Sequence, residues 1–290
     1  MSSTVWQTTR FNIDLAQPRL MGIVNVTPDS FSDGGDLASS AEAIAHAESL
    51  LSAGAHILDV GGESTRPGAA AVSAQEEWRR IEPIIKAALS WQVPISVDTY
   101  KPEIMQKALD VGVDIVNDVW ALRRQNEAGL RAEAVVAAHP SCGVCLMHMH
   151  LEPHTMQVAP MAGDAVAQVR NFLQSRADAV LNLGVNPRRL VLDYGIGFGK
   201  TVEQNCALLL RQAELLSLGF PLLAGWSRKS TLGKISGHDN PKDRVAASVA
   251  AALMAVERGA RVLRVHDVQA TADAIKVWQA VTSQAPSQSR

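Results

Sequence analysis

Short apolar runs alternate with amphipathic, Ala- and Leu-rich segments along nearly the whole of this chain. Such nearly continuous runs are typical of parallel strands buried on both faces, and the segments between them have the period of helices. About eight strand–helix units follow one another, which is the number that closes a (β/α)8 barrel. We therefore predict an α/β fold, a (β/α)8 TIM barrel with a short N-terminal β-hairpin. An open doubly wound sheet is the alternative.

The predicted elements cover most of the chain. The strands are Leu20–Val24, His56–Val60, Pro94–Val97, Asp114–Val116, Gly143–Met147, Leu190–Leu192, Pro221–Ala224 and Val262–Val265. The helices are Ala41–Ala53, Ala74–Ser90, Pro102–Val111, Glu127–Ala138, Asp164–Leu183, Thr201–Ser217, Arg244–Arg258 and Val268–Val281.

The domain organisation is predicted to be simple. Residues 1–18 precede the first barrel strand, and the pattern over Val5–Gln17 predicts a hairpin that plugs the bottom of the barrel. No linker divides the chain, apart from a polar tail at residues 283–290, so we interpret residues 1–290 as one domain. Hydrophobic residues make up 47% of the sequence, which is enough to fill a large core.

Charge and composition exclude several classes of protein. The formal net charge of −2 argues against a nucleic-acid surface, which would show a basic bias. The N-terminus has no apolar signal region, and no run approaches a membrane span, so we expect a soluble cytoplasmic protein. Three cysteines are too few for a disulfide framework. Cys142 and Cys145 have the spacing of a redox pair, but Cys145 lies within a strand pattern, which favours buried thiols.

The densest polar segment directly follows the first predicted barrel strand, Leu20–Val24. Six polar residues fall within the nine positions from Asn25 to Asp33, and Gly34 and Gly35 close the segment. Other predicted strands end in the same manner, and in a TIM barrel all of these ends meet on the catalytic face. Any one Asp or Asn could merely cap a helix, but the repetition favours a site. The strand-end residues are Asn25, Asp59, Glu63–Gly68, Asp98, Asn117, Asp118, Met147, His148, Asp193, Ser227, Arg228, Lys229, Arg264 and His266.

These strand-end residues divide into two chemical sets. Asp98, Asn117 and Asp193 suit a planar heterocycle with an edge of N–H donors, because buried carboxylates need such partners. A second set suits an anion, most simply a phosphate. Its members are Arg66, Lys229, Arg264 and His266, with the hydroxyls of Thr65 and Ser227. Asn25 offers a neutral oxygen ligand to Mg²⁺, which also binds substrate phosphates. The expected ligand is a flat heterocycle with a phosphorylated arm.

At this point the motifs themselves resemble a known family, the bacterial dihydropteroate synthases. The resemblance covers nearly the whole chain, with the motifs in the family's order. It rests on Met21–Gly35, Gly61–Ala69, Ser96–Pro102, Val116–Asp118, Cys145–Met149, Gly195–Lys200, Ser227–Ser230 and Arg264–Val268. It implies a TIM barrel that condenses 6-hydroxymethyl-7,8-dihydropterin pyrophosphate with 4-aminobenzoate, giving 7,8-dihydropteroate and pyrophosphate for folate synthesis. It also implies Mg²⁺ as cofactor, sulfonamides as competitive inhibitors and a homodimer.

The resemblance also implies a role for individual residues. The pterin edge would be held by Asp98, Asn117, Asp193 and Lys229, and its faces by Met147, Phe198 and Arg264. Arg264 and His266 would bind pyrophosphate, and Asn25 would bind Mg²⁺. The aminobenzoate site would comprise Phe31, Thr65, Arg66, Pro67 and Ser227. Asp33 would face the cation that develops on the pterin, and the catalytic set would be Asp33, Lys229, Arg264 and His266.

Two positions depart from the family pattern, and several weaker signals are set aside. Tyr194 stands where the family has proline, and His150–Leu151 replaces Gln-Gly. His148, His150 and His154 mimic metal-ligand spacing but have no acidic or Cys partner nearby. Tyr194–Thr201 nearly spells a P-loop, but it lacks the first glycine.

Two rival functions share the pterin-binding face. A methyltetrahydrofolate-dependent methyltransferase would need that face but not the pyrophosphate set, including Arg264 and His266. A catalytically silent pterin-binding scaffold would be expected to lack Asn25, Arg66, Lys229 or Arg264, and all four are present.

Overall fold

The computed structural model describes residues 4–26, 35–64, 71–151 and 161–283. Over these residues, eight parallel strands form a closed barrel, in which neighbouring strands follow the order of the chain and the last strand pairs with the first; this confirms the TIM barrel and excludes the open sheet. The hairpin strands are β1 (Val5–Gln7) and β2 (Asn12–Asp14). The barrel strands are β3 (Arg19–Asn25), β4 (Ile57–Gly61), β5 (Ile95–Asp98), β6 (Ile115–Asp118), β7 (Gly143–Met147), β8 (Leu190–Asp193), β9 (Leu222–Ala224) and β10 (Val262–Val265).

Helices surround the barrel and follow most of its strands. They are α1 (Gly35–Ser52), α2 (Ala74–Ala88), α3 (Pro102–Asp110), α4 (Ala132–Ala138), α5 (Ala165–Asn182), α6 (Val202–Leu210), α7 (Gln212–Leu216), α8 (Ser230–Ser236), α9 (Val245–Glu257) and α10 (Val268–Thr282). Among the described helices, none combines the length and apolar character that crossing a membrane requires.

The interior of the barrel contains a layer of apolar side chains, one from most of the strands. Because side chains alternate between the two faces of a strand, the residue two positions later also points inward, one layer closer to the C-terminal mouth. The apolar layer is formed by Met21, Ile57, Ile115, Cys145, Val191, Leu223 and Val262. Two positions later along these strands stand Ile23, Asp59, Asn117, Met147, Asp193, Gly225 and Arg264. The alternation of side chains along the strands therefore places several polar side chains in the layer next to the apolar layer, on the side of the C-terminal mouth.

The N-terminal hairpin packs against the other end of the barrel, as the sequence predicted. Trp6 is fully buried, pairs with Ile13 across the hairpin and joins the interior apolar layer. Its Nε1 donates a hydrogen bond of 2.8 Å to the carbonyl of Arg189, which directly precedes β8. Arg10 forms an ion pair of 2.6 Å with the buried Asp114, which precedes β6. The single-domain interpretation stays a prediction, and residues 284–290 of the tail lie outside the described residues.

Several helix predictions were wrong in detail, and one helix was not predicted. Helix α1, predicted at Ala41–Ala53, begins six residues earlier, at Gly35. The segment Thr201–Ser217 forms two helices, because the chain leaves helical geometry at Arg211, with φ −99° and ψ 23°. The helix predicted from Glu127 begins only at Ala132, because a turn comes first, in which the Asn126 Oδ1 accepts a hydrogen bond from Leu130 N. The seven-residue α8 was missed, because it is too short to show a helical period.

Candidate active site

Arg264 lies at the centre of the polar layer, at the C-terminal end of β10. Its Nε donates to the Asp59 Oδ2 at 2.6 Å, and its Nη2 donates to the Asp98 Oδ2 at 2.5 Å. The Asn117 Nδ2 donates to the same Asp59 oxygen at 3.2 Å. These four side chains come from β4, β5, β6 and β10, so strands distant in sequence meet at one point.

Two carboxylates share the single guanidinium of this network. Asp59 is fully buried and Asp98 nearly so. Burial raises the pKa of Asp98 to about 7, while the Arg264 cation lowers it and the Asp59 carboxylate raises it further. One guanidinium cannot neutralise two carboxylates, so the network carries a surplus negative charge when both are ionised. Asp98 therefore exchanges its proton near neutral pH.

Asp193 ends β8 on the opposite side of the mouth. Its Oδ1 accepts a hydrogen bond of 2.7 Å from Gly195 N. Burial raises the pKa of Asp193, and that N–H and the cations Lys229, Lys200 and Arg264 oppose the rise. Gly195 has φ +65°, and a Cβ there would lie 1.9 Å from the carbonyl oxygen of His148. Only glycine fits this turn, which keeps the Asp193 loop tight against the end of β7.

Lys229 and Phe198 face each other at the same side of the mouth. The Lys229 Nζ lies 4.2 Å from the centroid of the Phe198 ring, a cation–π distance. Phe198 also belongs to a small apolar cluster with Met147, Val119 and Met149. This cluster forms an apolar wall beside the charged layer, which suits the faces of a planar ring.

Ser227 and His266 meet where β9 and β10 end. The Ser227 Oγ lies 3.0 Å from the His266 Nδ1 and accepts a hydrogen bond of 3.1 Å from His266 N. The next residue on each loop forms an ion pair, Arg228 with Asp267, whose Nε–Oδ2 distance is 2.9 Å. The two loops are therefore fastened together beside Arg264.

Asn25 ends β3 close to Asp98. A Cβ built on Gly61, which lies between them, would be 3.7 Å from the Asn25 Oδ1 and 3.3 Å from the Asp98 Cβ. The described residues contain no group of three or more His, Cys, Asp or Glu side chains that could hold a metal ion by themselves. One neutral oxygen fits Mg²⁺ bound mainly through substrate phosphates and water, as Mg²⁺ commonly is.

The other predicted site residues fall in segments that the structure does not describe. They are Phe31, Asp33, Thr65, Arg66 and Pro67, which lie outside the described residues. The remaining residues of the predicted set do meet at the mouth: Asn25, Asp98, Asn117, Met147, Asp193, Phe198, Ser227, Lys229, Arg264 and His266. Their individual roles stay predictions.

Asp118 differs from its neighbour Asn117, although both end β6. The Asp118 carboxylate accepts hydrogen bonds from Trp120 N at 2.8 Å and Leu122 N at 2.7 Å. It thereby stabilises a turn in which Leu122 has φ +60°. Because side chains alternate along the strand, Asp118 points away from the barrel interior and has a structural role.

Lys200 is a component of the site that the sequence did not reveal. It is only 4% exposed, and its Nζ donates to the carbonyls of Gly195 at 2.7 Å and Phe198 at 3.2 Å. Burial lowers the pKa of Lys200 to about 7. Lys200 therefore joins the Gly195 and Phe198 carbonyls within the loop that follows β8. Two sequence signals contained this lysine, the near-match to a P-loop and the family motif Gly195–Lys200, but neither gave it a role.

Four of the residues set aside in the sequence have ordinary packing environments, whereas His154 lies outside the described residues. Cys142 and Cys145 are buried free thiols, and burial raises the pKa of Cys145 well above its usual value, so they are not a reactive pair. Burial lowers the pKa of His148 to about 2, and its ring packs edge-on against Phe172. Tyr194 is fully buried and donates to the Gln212 Oε1 at 3.0 Å, so it points into the helix layer and away from the mouth.

The comparisons with known proteins agree with this geometry. Residues 21–266 match the family described as pterin binding enzyme. The dihydropteroate synthase of Neisseria meningitidis serogroup B is 51% identical over 286 residues, which cover 97% of this chain and 99% of that protein.

Two solved structures resemble this chain in both fold and sequence. The dihydropteroate synthase of Xanthomonas albilineans with 4-aminobenzoic acid is 47% identical, with a TM-score of 0.90 over 98% of this chain and 100% of that one. The Yersinia pestis dihydropteroate synthase, in a sulfonamide drug complex, is 40% identical, with a TM-score of 0.87 over 96% of this chain and 99% of that one. The chain therefore belongs to the pterin binding enzymes and, within them, to the dihydropteroate synthases.

Proposed function

We propose that this protein condenses 6-hydroxymethyl-7,8-dihydropterin pyrophosphate with 4-aminobenzoate to give 7,8-dihydropteroate and pyrophosphate. The observation that carries the proposal is the position of Arg264, between the carboxylates of Asp59 and Asp98 at the barrel mouth. One cation there borders both an acidic surface for a heterocycle and the loops that carry Ser227 and His266. The family assignment favours this reaction over the methyltransferase and the silent scaffold.

The set of carboxylate and amide side chains binds the pterin. Asp98, Asn117 and Asp193 offer carboxylate and amide groups to the polar edge of the ring, and buried carboxylates bind N–H donors strongly. Met147 and Phe198 line the faces of the ring. Lys229 donates to the acceptor atoms of the ring, and its charge opposes the rise that burial causes in the pKa of Asp193.

The pyrophosphate binds on the cationic side of the mouth. Asp59 and Asp98 engage the Nε and Nη2 of Arg264, which fixes the guanidinium at the mouth, where it binds the leaving group. His266 donates to the same anion, and Ser227 holds its ring in place. Asn25 would hold Mg²⁺, which would supply further neutralisation of the departing charge.

The reaction proceeds by departure of the leaving group before attack. The bond between the pterin methylene carbon and the ester oxygen breaks, both electrons leave with pyrophosphate, and the ring stabilises the resulting carbocation. The neutral aromatic amine then forms the new C–N bond and releases a proton. Stabilisation of the departing anion is the main task of the protein, and this requires Arg264 and His266 but no strong general base. The role predicted for Asp33, beside the carbocation, falls on a residue outside the described ranges.

The aminobenzoate binds beside this centre. We assign Ser227 to its site, together with Phe31, Thr65, Arg66 and Pro67, which lie outside the described residues. The relatives with bound 4-aminobenzoic acid and with a bound sulfonamide support the presence of an aminobenzoate site in the family.

We expect sulfonamides to compete with aminobenzoate in a steady-state assay of this protein. A sulfonamide resembles aminobenzoate in its aromatic amine and its acidic group, so it should raise the KM for aminobenzoate and leave the limiting rate unchanged. The matched comparison varies the pterin pyrophosphate, against which inhibition should not be competitive. A sulfonamide that leaves the KM for aminobenzoate unchanged would contradict the proposed second-substrate site.

The titration of Asp98 predicts how pterin binding depends on pH. Its pKa is raised to about 7, so the carboxylate takes up a proton as the pH falls through that value. A protonated carboxyl accepts fewer N–H donors, so the affinity for 6-hydroxymethyl-7,8-dihydropterin should fall from about pH 8 to about pH 6. This ligand lacks the pyrophosphate, whose own titration would obscure the result.

Calorimetric titration across this pH range measures the effect. Asp98→Asn is the matched control, because the amide keeps the shape of the side chain and has no proton to exchange. It should bind the pterin more weakly, with little dependence on pH. An equally steep pH dependence in Asp98→Asn would assign the titration to another group.

Assembly and location are proposed on separate grounds. We propose a homodimer formed through α6, α7 and α9, where Leu210 and Met254 are 72% and 42% exposed. A monomer in sedimentation at micromolar concentration would refute the proposed dimer.

We propose a cytoplasmic location, because the free thiols Cys142, Cys145 and Cys206 are typical of a reducing compartment. Detection of the native protein outside the cytoplasm would refute that.

A further inference from the structure

Asn205 is a fully buried amide in α6 that joins two loops at the barrel mouth. Its Oδ1 accepts a hydrogen bond of 3.1 Å from Gly197 N, in the loop after β8. Its Nδ2 donates to the Thr231 Oγ1 at 2.9 Å, in the first turn of α8, and to the Lys200 carbonyl at 3.4 Å. One side chain therefore fixes the distance between the loop after β8 and the start of α8.

The two joined segments carry Phe198 and Lys229. Gly197 directly precedes Phe198, and Thr231 lies two residues after Lys229. A Cβ on Gly197 would lie 3.5 Å from the Lys229 Cδ, so the stem of the lysine passes over the Gly197 backbone. The Nζ then reaches a position 4.2 Å from the centre of the Phe198 ring. Any relative shift of the two segments would change this contact directly.

Asn205 is not needed to begin α6. The helix already has a complete capping box, in which Gln204 N donates to the Thr201 Oγ1 at 3.2 Å and Thr201 N donates to the Gln204 Oε1 at 2.9 Å. Asparagine is a poor helix former, and a buried amide costs free energy unless it is hydrogen-bonded. The contacts between the two segments are what account for an amide at this position.

We propose that Asn205 is a positioning residue for pterin binding, which holds the Phe198 loop and the Lys229 segment in register. It touches neither substrate and acts through Lys229. The inference rests on the role proposed above for Lys229 at the pterin edge. Loss of the amide would allow Lys229 to move from its place over Phe198, and displacements of about 1 Å can cost as much as about 100-fold in function.

The test is the affinity for the pterin pyrophosphate without aminobenzoate, measured by calorimetry in the full-length protein. Asn205→Ala should raise the Kd about tenfold. Thr231→Val, which keeps the shape of the side chain and removes one hydrogen-bond partner, should raise it less. In a Lys229→Met background, which keeps an apolar stem, Asn205→Ala should change the Kd by less than about twofold, because the residue through which it acts is gone.

Leu208→Ala is the matched control, since Leu208 is a fully buried apolar residue of the same helix. It should lower the melting temperature and leave the Kd unchanged, which separates positioning from general destabilisation. Asn205 would lose the proposed role if Asn205→Ala and Thr231→Val left the Kd unchanged while Lys229→Met raised it. An equal factor in the wild-type and Lys229→Met backgrounds would also overturn it. If Lys229→Met itself had no effect, the role of Lys229 would fail and the inference with it.

Discussion

Replacing Arg264 by alanine is expected to lower kcat/KM by on the order of 10³-fold and to destabilise the fold at the same time. The guanidinium forms ion pairs with Asp59 at 2.6 Å and with Asp98 at 2.5 Å. Its removal leaves two buried carboxylates without a cation, and breaking a buried pair in this way typically costs about 3–5 kcal/mol. It also removes the cation that we assign to the departing pyrophosphate. Steady-state kinetics and urea denaturation measure the two effects separately.

Arg10→Ala is a matched control for this variant. Arg10 also pairs with a buried carboxylate, that of Asp114, but at the hairpin end of the barrel. Backbone donors Arg10 N and Ile95 N still reach the Asp114 carboxylate in the variant, so the loss of stability should be the same or smaller. Its kcat/KM should be close to that of the wild type. Near-normal turnover in Arg264→Ala would overturn the assignment of the anion site.

Replacing Lys229 by alanine is expected to lower kcat/KM for the pterin substrate by about 10²- to 10³-fold, with little loss of stability. The ammonium lies over the Phe198 ring and is only partly buried. It is also one of the cations that lower the pKa of Asp193. Without it the pKa of Asp193 rises further, so that carboxylate becomes protonated at a higher pH. A protonated Asp193 accepts fewer N–H donors, which adds to the loss of pterin binding.

Lys234→Ala provides the comparison for Lys229→Ala. Lys234 is an exposed lysine of the same short helix, α8, so its loss changes the net charge by the same amount. Its kinetic constants and pH profile should match those of the wild type. Equal kinetic losses in the two variants would mean that total charge matters and that Lys229 has no particular place in the site.

The barrel was predictable because its strands are nearly continuous apolar runs. Gly143–Met147 and Val262–Val265 have the predicted bounds, and the other strands differ by at most a few residues. Elements without a periodic signal were not predictable. The seven-residue α8 contains Gly233, where a Cβ would lie 2.5 Å from the Arg244 Nε. The close contact with Arg244 requires glycine at this position, and glycine weakens the helical pattern of the sequence. The break at Arg211 likewise has no strong signal in an Ala- and Leu-rich segment.

The gathering of the site residues was predictable from topology, whereas their contacts were not. Parallel strands in a closed barrel bring their C-terminal ends together, so Asp98, Asp193 and Arg264 had to be neighbours. The sharing of Arg264 between Asp98 and Asp59 depends on distances across the barrel that no local pattern encodes. The alternation of side chains along β6 could have separated the inward Asn117 from the outward Asp118. The amide bridge of Asn205 leaves no trace in the sequence.

The most direct test of the proposed chemistry is the release of pyrophosphate by the purified protein. It should be incubated with 6-hydroxymethyl-7,8-dihydropterin pyrophosphate and 4-aminobenzoate, with Mg²⁺ and with a chelator in place of Mg²⁺. Pyrophosphate and 7,8-dihydropteroate should appear in equal amounts, faster with Mg²⁺, and Arg264→Ala should form neither at a comparable rate. A wild-type protein that binds the pterin but releases no pyrophosphate with both substrates and Mg²⁺ would contradict the account.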